Sequence, residues 1–336
     1  MGLNLDEKYM RECFRLANKG KNNVRPNPMV GCVVLNKSGN VVSKGYHKKY
    51  GQNHAERDAL LKLKNNEAEG GTLYVNLEPC SHFGKTPPCV DLIIQNKLSR
   101  VVIGMKDVNP KVDGISRLKS AGIKVDFVLE EEAKFLNRVF VKNMTKNLPY
   151  VVLKTATTMD GKIATSTGNS KWITSCEARD LVYTMRKEFD CIMTSSNTVI
   201  ADNPTMEHNF KCILDRNLRT SKTANIYSKG EIYVASKENT PIIDGKLDIK
   251  SVLRKLYQQG IYTVFVESGG ILAGSMLKEG LIDEVYQFVA PKILNDNSGM
   301  SCFDGNKVSR ISDSVGLMVY DVKKIGDDIL IKAVVK

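Results

Sequence analysis

No stretch of this 336-residue sequence approaches the roughly 20 consecutive apolar residues that a membrane-crossing helix needs, so no membrane partner is expected. The amino-terminal MGLNLDEKYMRECF carries acidic side chains and no apolar segment of the secretion-signal kind, which makes a cytoplasmic location the expectation. Aromatic residues make up only 7%, tryptophan occurs once, and there is neither an RGG-type nor a poly-lysine tract. A strip that stacks single-stranded bases is therefore not legible, and no nucleic-acid partner is expected. Internal repeats and low-complexity segments are absent too. What remains is 42% hydrophobic and 26% charged residues, too much apolar chain for the disordered class. At about 150 residues per domain, the length suggests two domains.

The net charge of +12 is unevenly spread. Residues 1–149 hold 25 basic and 15 acidic side chains, a net +10, whereas residues 150–336 hold 24 and 22, a net +2. Most of that excess reads as solvated lysine surface, and the remaining field suits an acidic partner or a small phosphorylated substrate. The eight cysteines, in a chain of this length without an export signal, read as thiols rather than as a disulfide scaffold. Cys32, Cys191 and Cys212 lie in apolar strand-like runs, where a thiol behaves as a small hydrophobe. Cys80 and Cys89 stand apart from them.

Periodicity gives an alternating order of elements. The first half reads as the helix LDEKYMRECFRLANKG, the hairpin MVGCVVLN/VVSKGY, the helix HAERDALLKLK, the strand GTLYVNLEPC, the helix VDLIIQNKL and the strand RVVIGM. A short helix ending at Gly122, the strand IKVDFVL and one helix over EEEAKFLNRVFVKNM follow. The second half restarts with the strand YVVLKTATT and a turn at Asp160-Gly161, then alternates helices and strands as far as DILIKAVV. Such alternation implies sheets with helices on their faces, an α/β fold, with a domain boundary near KNLP. We therefore expect domains over residues 1–147 and 148–336.

His54-Ala55-Glu56 opens a helix, Pro79-Cys80 ends a strand and Cys89 enters the next helix. One imidazole and two thiolates fill three positions around Zn²⁺ and leave a fourth for water, the catalytic rather than the closed structural arrangement. Zn²⁺ lowers the pKa of such a water towards about 7. Glu56, two residues from the imidazole, is then placed to shuttle a proton from attacking water to a leaving amine. These are the parts of a hydrolytic deaminase. The nucleobase-deaminase pattern is H-x-E followed by P-C-x-x-C, whereas eight residues separate the two cysteines here. Lys85, in a loop bounded by Gly and Pro, suits a phosphate, and the Asn27 amide suits a pyrimidine edge.

Three stretches, RPNPMVGCV at 25–33, GYHKKYGQNHAE at 45–56 and EPCSHFGKTPPC at 78–89, resemble the deaminase half of the bifunctional deaminase/reductase family of riboflavin biosynthesis. That resemblance implies a cytidine-deaminase-like three-layer α/β/α domain with His54, Cys80 and Cys89 on zinc and Glu56 as the catalytic residue. It further implies substrate contacts from Asn27, His47, His82 and Lys85. The family has a G-x-G after the loop that begins Asp107-Val108-Asn109-Pro110; this chain has Gly114 alone and is about two residues shorter.

Residues 154–204 resemble the reductase half of the same family, similar in fold to dihydrofolate reductase. The carrying pieces are Lys154-x-Ala156-x-Thr158-x-Asp160-Gly161-Lys162, Gly168-x-Ser170-x-Trp172-Ile173-Thr174, Arg186 and Thr198-x₃-Asp202-Asn203-Pro204. By resemblance, Ala156, Trp172, Thr198, Asp202 and the turn Gly269, Gly270, Ile271, Leu272, Ala273, Gly274 and Ser275 line an NADPH site. Ser170, Arg186, Met206 and Glu267 hold the substrate. Independently, glycines at a strand-to-helix turn let a backbone approach a pyrophosphate, although G-G-x-x-x-G is not the dinucleotide fingerprint. No carboxylate stands about 20 residues beyond Gly269 to bind a ribose 2′-hydroxyl, and Arg216 is our candidate for the extra phosphate of NADPH. The family's Arg beyond Asp202-Asn203-Pro204 is absent, and TMEHNFK offers only His208 or Lys211.

The resemblance thus implies zinc-dependent deamination of 2,5-diamino-6-(5-phosphoribosylamino)pyrimidin-4-one, then NADPH-dependent reduction of its ribosyl group, by a homo-oligomer. The rival enzyme reading is a nucleic-acid or nucleoside deaminase with an accessory domain. A structural zinc module is the rival outside catalysis, and it is disfavoured because a fourth Cys or His would normally close its site.

Overall fold

Leu5–Asn18 forms helix α1 because Met10, Cys13, Leu16 and Ala17 recur at helical spacing and are all buried, and because the Asn4 side chain caps the first turn by accepting from Asp6 N. The computed structural model describes residues 4–64, 66–305 and 307–336. The chain separates into two units, Met1–Lys146 and Asn147–Lys336.

In the first unit the elements after α1 are β1 (Gly31–Leu35), β2 (Val41–Tyr46), α2 (Ala55–Leu60), β3 (Thr72–Val75), α3 (Cys89–Gln95), β4 (Arg100–Ile103), α4 (Gly114–Ser120), β5 (Lys124–Phe127), α5 (Glu130–Leu136) and α6 (Arg138–Lys146). The sheet order is β2-β1-β3-β4-β5. β1 is antiparallel to β2 and β3, while β3, β4 and β5 run parallel. Alternation along the strands sends Cys32, Val34, Leu73, Val75, Val101 and Ile103 to one face, against Ala55, Ala59, Val90, Ile93 and Leu118 of α2, α3 and α4. Val33, Leu35, Tyr74 and Val102 face α1 on the other side. Three layers result, α/β/α. Each fully buried Leu, Ile or Val contributes about 1.5–3 kcal/mol.

The expected single helix over EEEAKFLNRVFVKNM is two helices. Asn137 leaves the helical conformation, and its amide donates to Met29 O and accepts from Met29 N, which ties the break to the loop before β1. α2 is also shorter than the periodicity suggests, six residues.

The second unit contains β6 (Tyr150–Thr158), β7 (Lys162–Ala164), α7 (Cys176–Arg186), β8 (Cys191–Ser195), α8 (Ser196–Asp202), β9 (Phe210–Leu214), β10 (Glu231–Ala235), β11 (Ile242–Ile243), β12 (Lys246–Leu247), α9 (Ile249–Gln258), β13 (Thr263–Glu267), α10 (Gly270–Lys278), β14 (Glu284–Ala290), β15 (Met300–Ser301), β16 (Leu317–Ile325) and β17 (Asp328–Val335). Its eight-stranded sheet runs β10-β9-β8-β13-β6-β14-β17-β16. The first six strands are parallel, and β17 and β16 add antiparallel. Val151, Leu153, Cys191, Met193, Val264 and Val266 pack with Val252, Leu253 and Leu256 of α9 and Ala273 and Met276 of α10. The carboxyl ends of parallel strands are where α/β sheets place ligands, and the candidate reductase residues gather at those ends of β6, β8, β9 and β13.

Candidate active sites

Each candidate zinc ligand sits at the end of an element. His54 is the N-cap of α2, Cys89 opens α3, and Cys80 lies in the segment that leaves β3. His54 Nδ1 is 3.4 Å from Cys80 Sγ and 3.6 Å from Cys89 Sγ, and Cys89 N donates to Cys80 Sγ at 3.3 Å. The three ligand atoms lie within 4.8 Å of one another, a donor set and spacing that fit Zn²⁺. Hydrogen bonds from Cys89 and His54 hold the Cys80 thiol down at about 4 despite burial. The same contact with Cys80, together with burial, pushes Cys89 well up. Both sulfurs bind zinc as thiolates, so metal binding releases protons.

Glu56 is only 3% exposed, and burial raises its carboxyl to about 7, with the Cys80 charge adding to the rise. It lies at the wall of a cavity of about 300 Å³ lined also by Asn27, His47, His54, Cys80, His82 and Lys85, so the fold brings the deaminase candidates together. His47 is buried; its Nδ1 donates to Asn53 O at 3.0 Å, which leaves Nε2 to accept from Asn27 Nδ2 at 3.2 Å. Burial lowers the His47 pKa, which disfavours the charged ring. The Lys85 ammonium stands 4.1 Å over the Tyr50 ring. His82 Nδ1 and Thr86 Oγ1 are shielded and have no hydrogen-bond partner among the described residues.

Sequence reasoning assigned no role to Asp107, Asn109 or Glu78. Asp107 and Asn109 line the cavity despite the shortened loop, and burial raises the Asp107 carboxyl to about 6, opposed by its bond from Asn109 N. Glu78 is buried and accepts from Asp107 N at 3.1 Å and Ile115 N at 3.0 Å, pinning that loop to the Pro79–Cys80 corner. Gly114 is required there, because a Cβ would come within 2.0 Å of Pro79 O. The available signal was a carboxylate placed at the end of an apolar strand run.

In the second unit Arg186, the last residue of α7, donates to Glu267 at the end of β13: Nε to Oε1 at 2.6 Å and Nη2 to Oε2 at 3.0 Å. Burial works to raise the Glu267 pKa, but the Arg186 guanidinium outweighs it and holds the carboxyl below its usual value. Lys154 Nζ, whose pKa burial lowers, is 3.9 Å from Glu267 Oε2, a partner that sequence reading did not assign. Ser170 Oγ donates to Asp202 Oδ1 at 3.3 Å, and Thr198 Oγ1 lies 3.1 Å from Ser195 Oγ at the start of α8. Ala156 lies near the carboxyl end of β6, and Met206 is buried. Trp172 is 64% exposed beneath the Arg179 guanidinium, so it is not a core aromatic. The turn into α10 is open at Gly269, where a Cβ would meet no atom within 4 Å. Arg216 follows β9 and donates to Gly245 O; none of its described contacts joins it to the Gly269 turn.

His208 and Lys211 do not replace the absent arginine. The His208 ring is bonded to Phe210 O and Phe189 O, and Lys211 Nζ is enclosed against Ile226 O.

Residues 3–105 match the cytidine and deoxycytidylate deaminase zinc-binding region, and residues 149–331 match the RibD C-terminal domain. The riboflavin biosynthesis protein RibD of Aquifex aeolicus is 39% identical over 353 residues, covering 97% of this chain and 98% of that protein. RibD of Escherichia coli is 35% identical, covering 98% and 99%. Among solved structures, a diaminohydroxyphosphoribosylaminopyrimidine deaminase/5-amino-6-(5-phosphoribosylamino)uracil reductase from Thermotoga maritima aligns at 34% identity with a TM-score of 0.83 over 98% of this chain and 99% of that one. Acinetobacter baumannii RibD aligns at 34% with a TM-score of 0.82 and the same coverage. With the zinc triad at the mouth of the first sheet, the reductase region after it, and relatives alike from end to end, this chain belongs to the RibD family.

Proposed function

We propose that residues 1–147 hydrolyse the exocyclic amine of 2,5-diamino-6-(5-phosphoribosylamino)pyrimidin-4-one, and that residues 148–336 then reduce the ribosyl group to ribityl, consecutive steps toward riboflavin. The observation that carries this reading is the buried Glu56 carboxyl beside His54, Cys80 and Cys89 in a cavity that also holds Asn27, His47, His82 and Lys85. Zinc held by that triad supplies electrophilic activation of water. Glu56 takes the proton of the attacking water on its carboxylate and returns it to the departing nitrogen, so that ammonia leaves. The bond to His47 orients Asn27, whose Oδ1 and second amide hydrogen then face a pyrimidine edge. Lys85 at the rim suits the phosphate.

In the second reaction NADPH supplies hydride. Ala156, Trp172, Thr198, Asp202, Arg216 and the Gly269–Ser275 turn hold the cofactor, and Ser170, Arg186, Met206 and Glu267 hold the substrate. The Arg186–Glu267 pair keeps Glu267 ionised, and Lys154 Nζ beside it is the proton source for the sugar oxygen released as C1′ accepts hydride. Incubating the purified protein with the diaminopyrimidine should release ammonia without NADPH, and NADPH oxidation should follow only after that release. If no ammonia appears, the reading fails.

Cofactor preference follows from the fold. Asp283 accepts from Val151 N and Glu284 from Tyr150 Oη, so both lie at the amino ends of β6 and β14, the far end of the strands from the Gly269 turn. Neither can serve a ribose 2′-hydroxyl there, whereas Arg216 stands at the carboxyl end of β9. NADPH should be preferred over NADH, and Arg216→Ala should raise the KM for NADPH with little change for NADH. Equal use of both cofactors by the unaltered protein would sink the assignment.

We place the enzyme in the cytoplasm. No helix among the described residues is long and apolar enough to cross a membrane. A homo-oligomer is favoured by the edge strand β16, where Leu317, Met318, Val319 and Val322 are exposed. An unpaired apolar edge of that kind invites a second copy. Light scattering after size exclusion should give a mass above 37.4 kDa, and a lone chain would refute this.

A further inference from the structure

We propose that Lys292 is a positioning residue for Trp172, its ammonium holding the loop between β7 and α7 in the shape that presents the indole to NADPH; this rests on the reductase reading of residues 148–336. The loop is anchored on either side of the tryptophan. Before it, Ser170 Oγ donates to Asp202 Oδ1 at 3.3 Å. After it, Ser175, the N-cap of α7, donates from N and Oγ to Asp328 Oδ2 at 2.8 and 2.7 Å, and Arg179 Nη1 donates to Thr174 O at 2.8 Å. Between these anchors the indole is exposed, with the Arg179 guanidinium 4.4 Å from its ring. No core packing fixes such a ring, so its place is decided by the backbone that carries it. There Lys292 Nζ donates to Trp172 O at 2.9 Å and to Ile173 O at 2.7 Å, the only hydrogen bonds those two carbonyls receive among the described residues.

Lys292 is itself fixed. It stands two residues past the carboxyl end of β14, where its own carbonyl accepts from Met159 N at 2.8 Å. The chain beyond it is tied to β7 and the turn before β7. Asp160 accepts from Leu294 N and Asn295 N at 3.1 and 3.0 Å, Asp296 accepts from Ser166 N at 2.9 Å, and Lys162 Nζ donates to Gly299 O at 3.0 Å. Residues 291–301 thus form a strap along this loop, and Lys292 is where the strap reaches the tryptophan. An exposed lysine is ordinarily solvated and free to turn; here charge-assisted bonds to two carbonyls offset the loss of that freedom. A loop ordered in this way before the cofactor arrives spares the cofactor the cost of ordering it, and apparent affinity falls in proportion when the competent fraction falls.

Trp172 is the single tryptophan, so its fluorescence, together with calorimetric titration with NADP⁺, tests this on the full-length protein. Lys292→Met keeps an unbranched stem and removes the donor. It should lower the fluorescence anisotropy of Trp172 in the ligand-free protein and weaken NADP⁺ binding about tenfold, with the KM for NADPH rising alike while kcat holds. Lys292→Arg should restore both quantities. Adding Lys292→Met to Trp172→Leu should cost little affinity beyond Trp172→Leu alone, because the lysine acts through the indole. Either anisotropy or affinity unchanged in Lys292→Met overturns the proposal. So does a loss that adds in full to that of Trp172→Leu, which would mark a general change in the fold. Failure of the unaltered protein to bind NADP⁺ would instead overturn the reductase reading, and the proposal with it.

Discussion

Glu56→Gln is expected to abolish ammonia release while leaving zinc content unchanged. Glutamine has nearly the shape of glutamate and fills the same buried position, so the wall of the cavity is retained. It cannot accept a proton, and loss of a positioned acid–base group costs about 10²–10⁴-fold in rate. Water would still reach the metal, but nothing would carry its proton to the amine. Cys80→Ser and Cys89→Ser should act differently, because their sulfurs belong to the ligand cluster: zinc should fall with activity. Elemental analysis beside an ammonia assay separates the two cases. Zinc loss in Glu56→Gln would make Glu56 a ligand, and full zinc in both cysteine variants would give the site to other residues. NADPH oxidation with pre-deaminated substrate should survive Glu56→Gln, since the carboxyl lies in the first unit.

The zinc ligands were legible because each is tied to a local event, a helix start or a strand end, and such events leave marks within a few residues. Glu78 stands at the end of an apolar strand run, but Asp107 carries no such mark, and what the two do together cannot be read locally. Their roles depend on two backbone N–H groups, those of Asp107 and Ile115, turning toward one carboxylate across 29 and 37 residues of chain, which periodicity cannot report. The break at Asn137 was hidden for the same reason: the local pattern is helical, and the bonds to Met29 come from 108 residues away. α8 follows β8 without a loop, its Ser195 cap disguised as the end of a strand. β16 was not read as a strand because it is an edge whose side chains are exposed on both faces, so no alternation marks it. The parallel strands β8, β9 and β13 were plain from their short apolar centres, Cys191–Met193, Cys212–Leu214 and Val264–Val266, as expected of strands covered on both faces.

Arg186→Ala should destabilise the second unit by about 3–5 kcal/mol near pH 7, because it leaves the Glu267 carboxylate buried without its bidentate partner. Lys154, at 3.9 Å, offers some compensation and favours the lower end of that range. The sign of the pH dependence identifies the cause. In the native protein Glu267 is held below its usual value, so the pair's stabilisation is complete above the usual glutamate pKa of about 4.3 and fades as pH falls through the lower, folded value. Without Arg186, burial dominates and raises that pKa, and the variant then loses stability as pH rises instead. The gap between the two proteins should therefore be wide near pH 7 and narrow near pH 4. Trp172, the single tryptophan, lies in this unit, so its fluorescence can follow denaturant unfolding there. Adding Glu267→Gln to Arg186→Ala should recover part of the stability by removing the stranded charge, yet recover no NADPH oxidation, because both side chains are assigned to the substrate. A cost of Arg186→Ala that is equal at the two pH values would mean that lost packing of the arginine stem, not the stranded carboxylate, sets the stability of this corner.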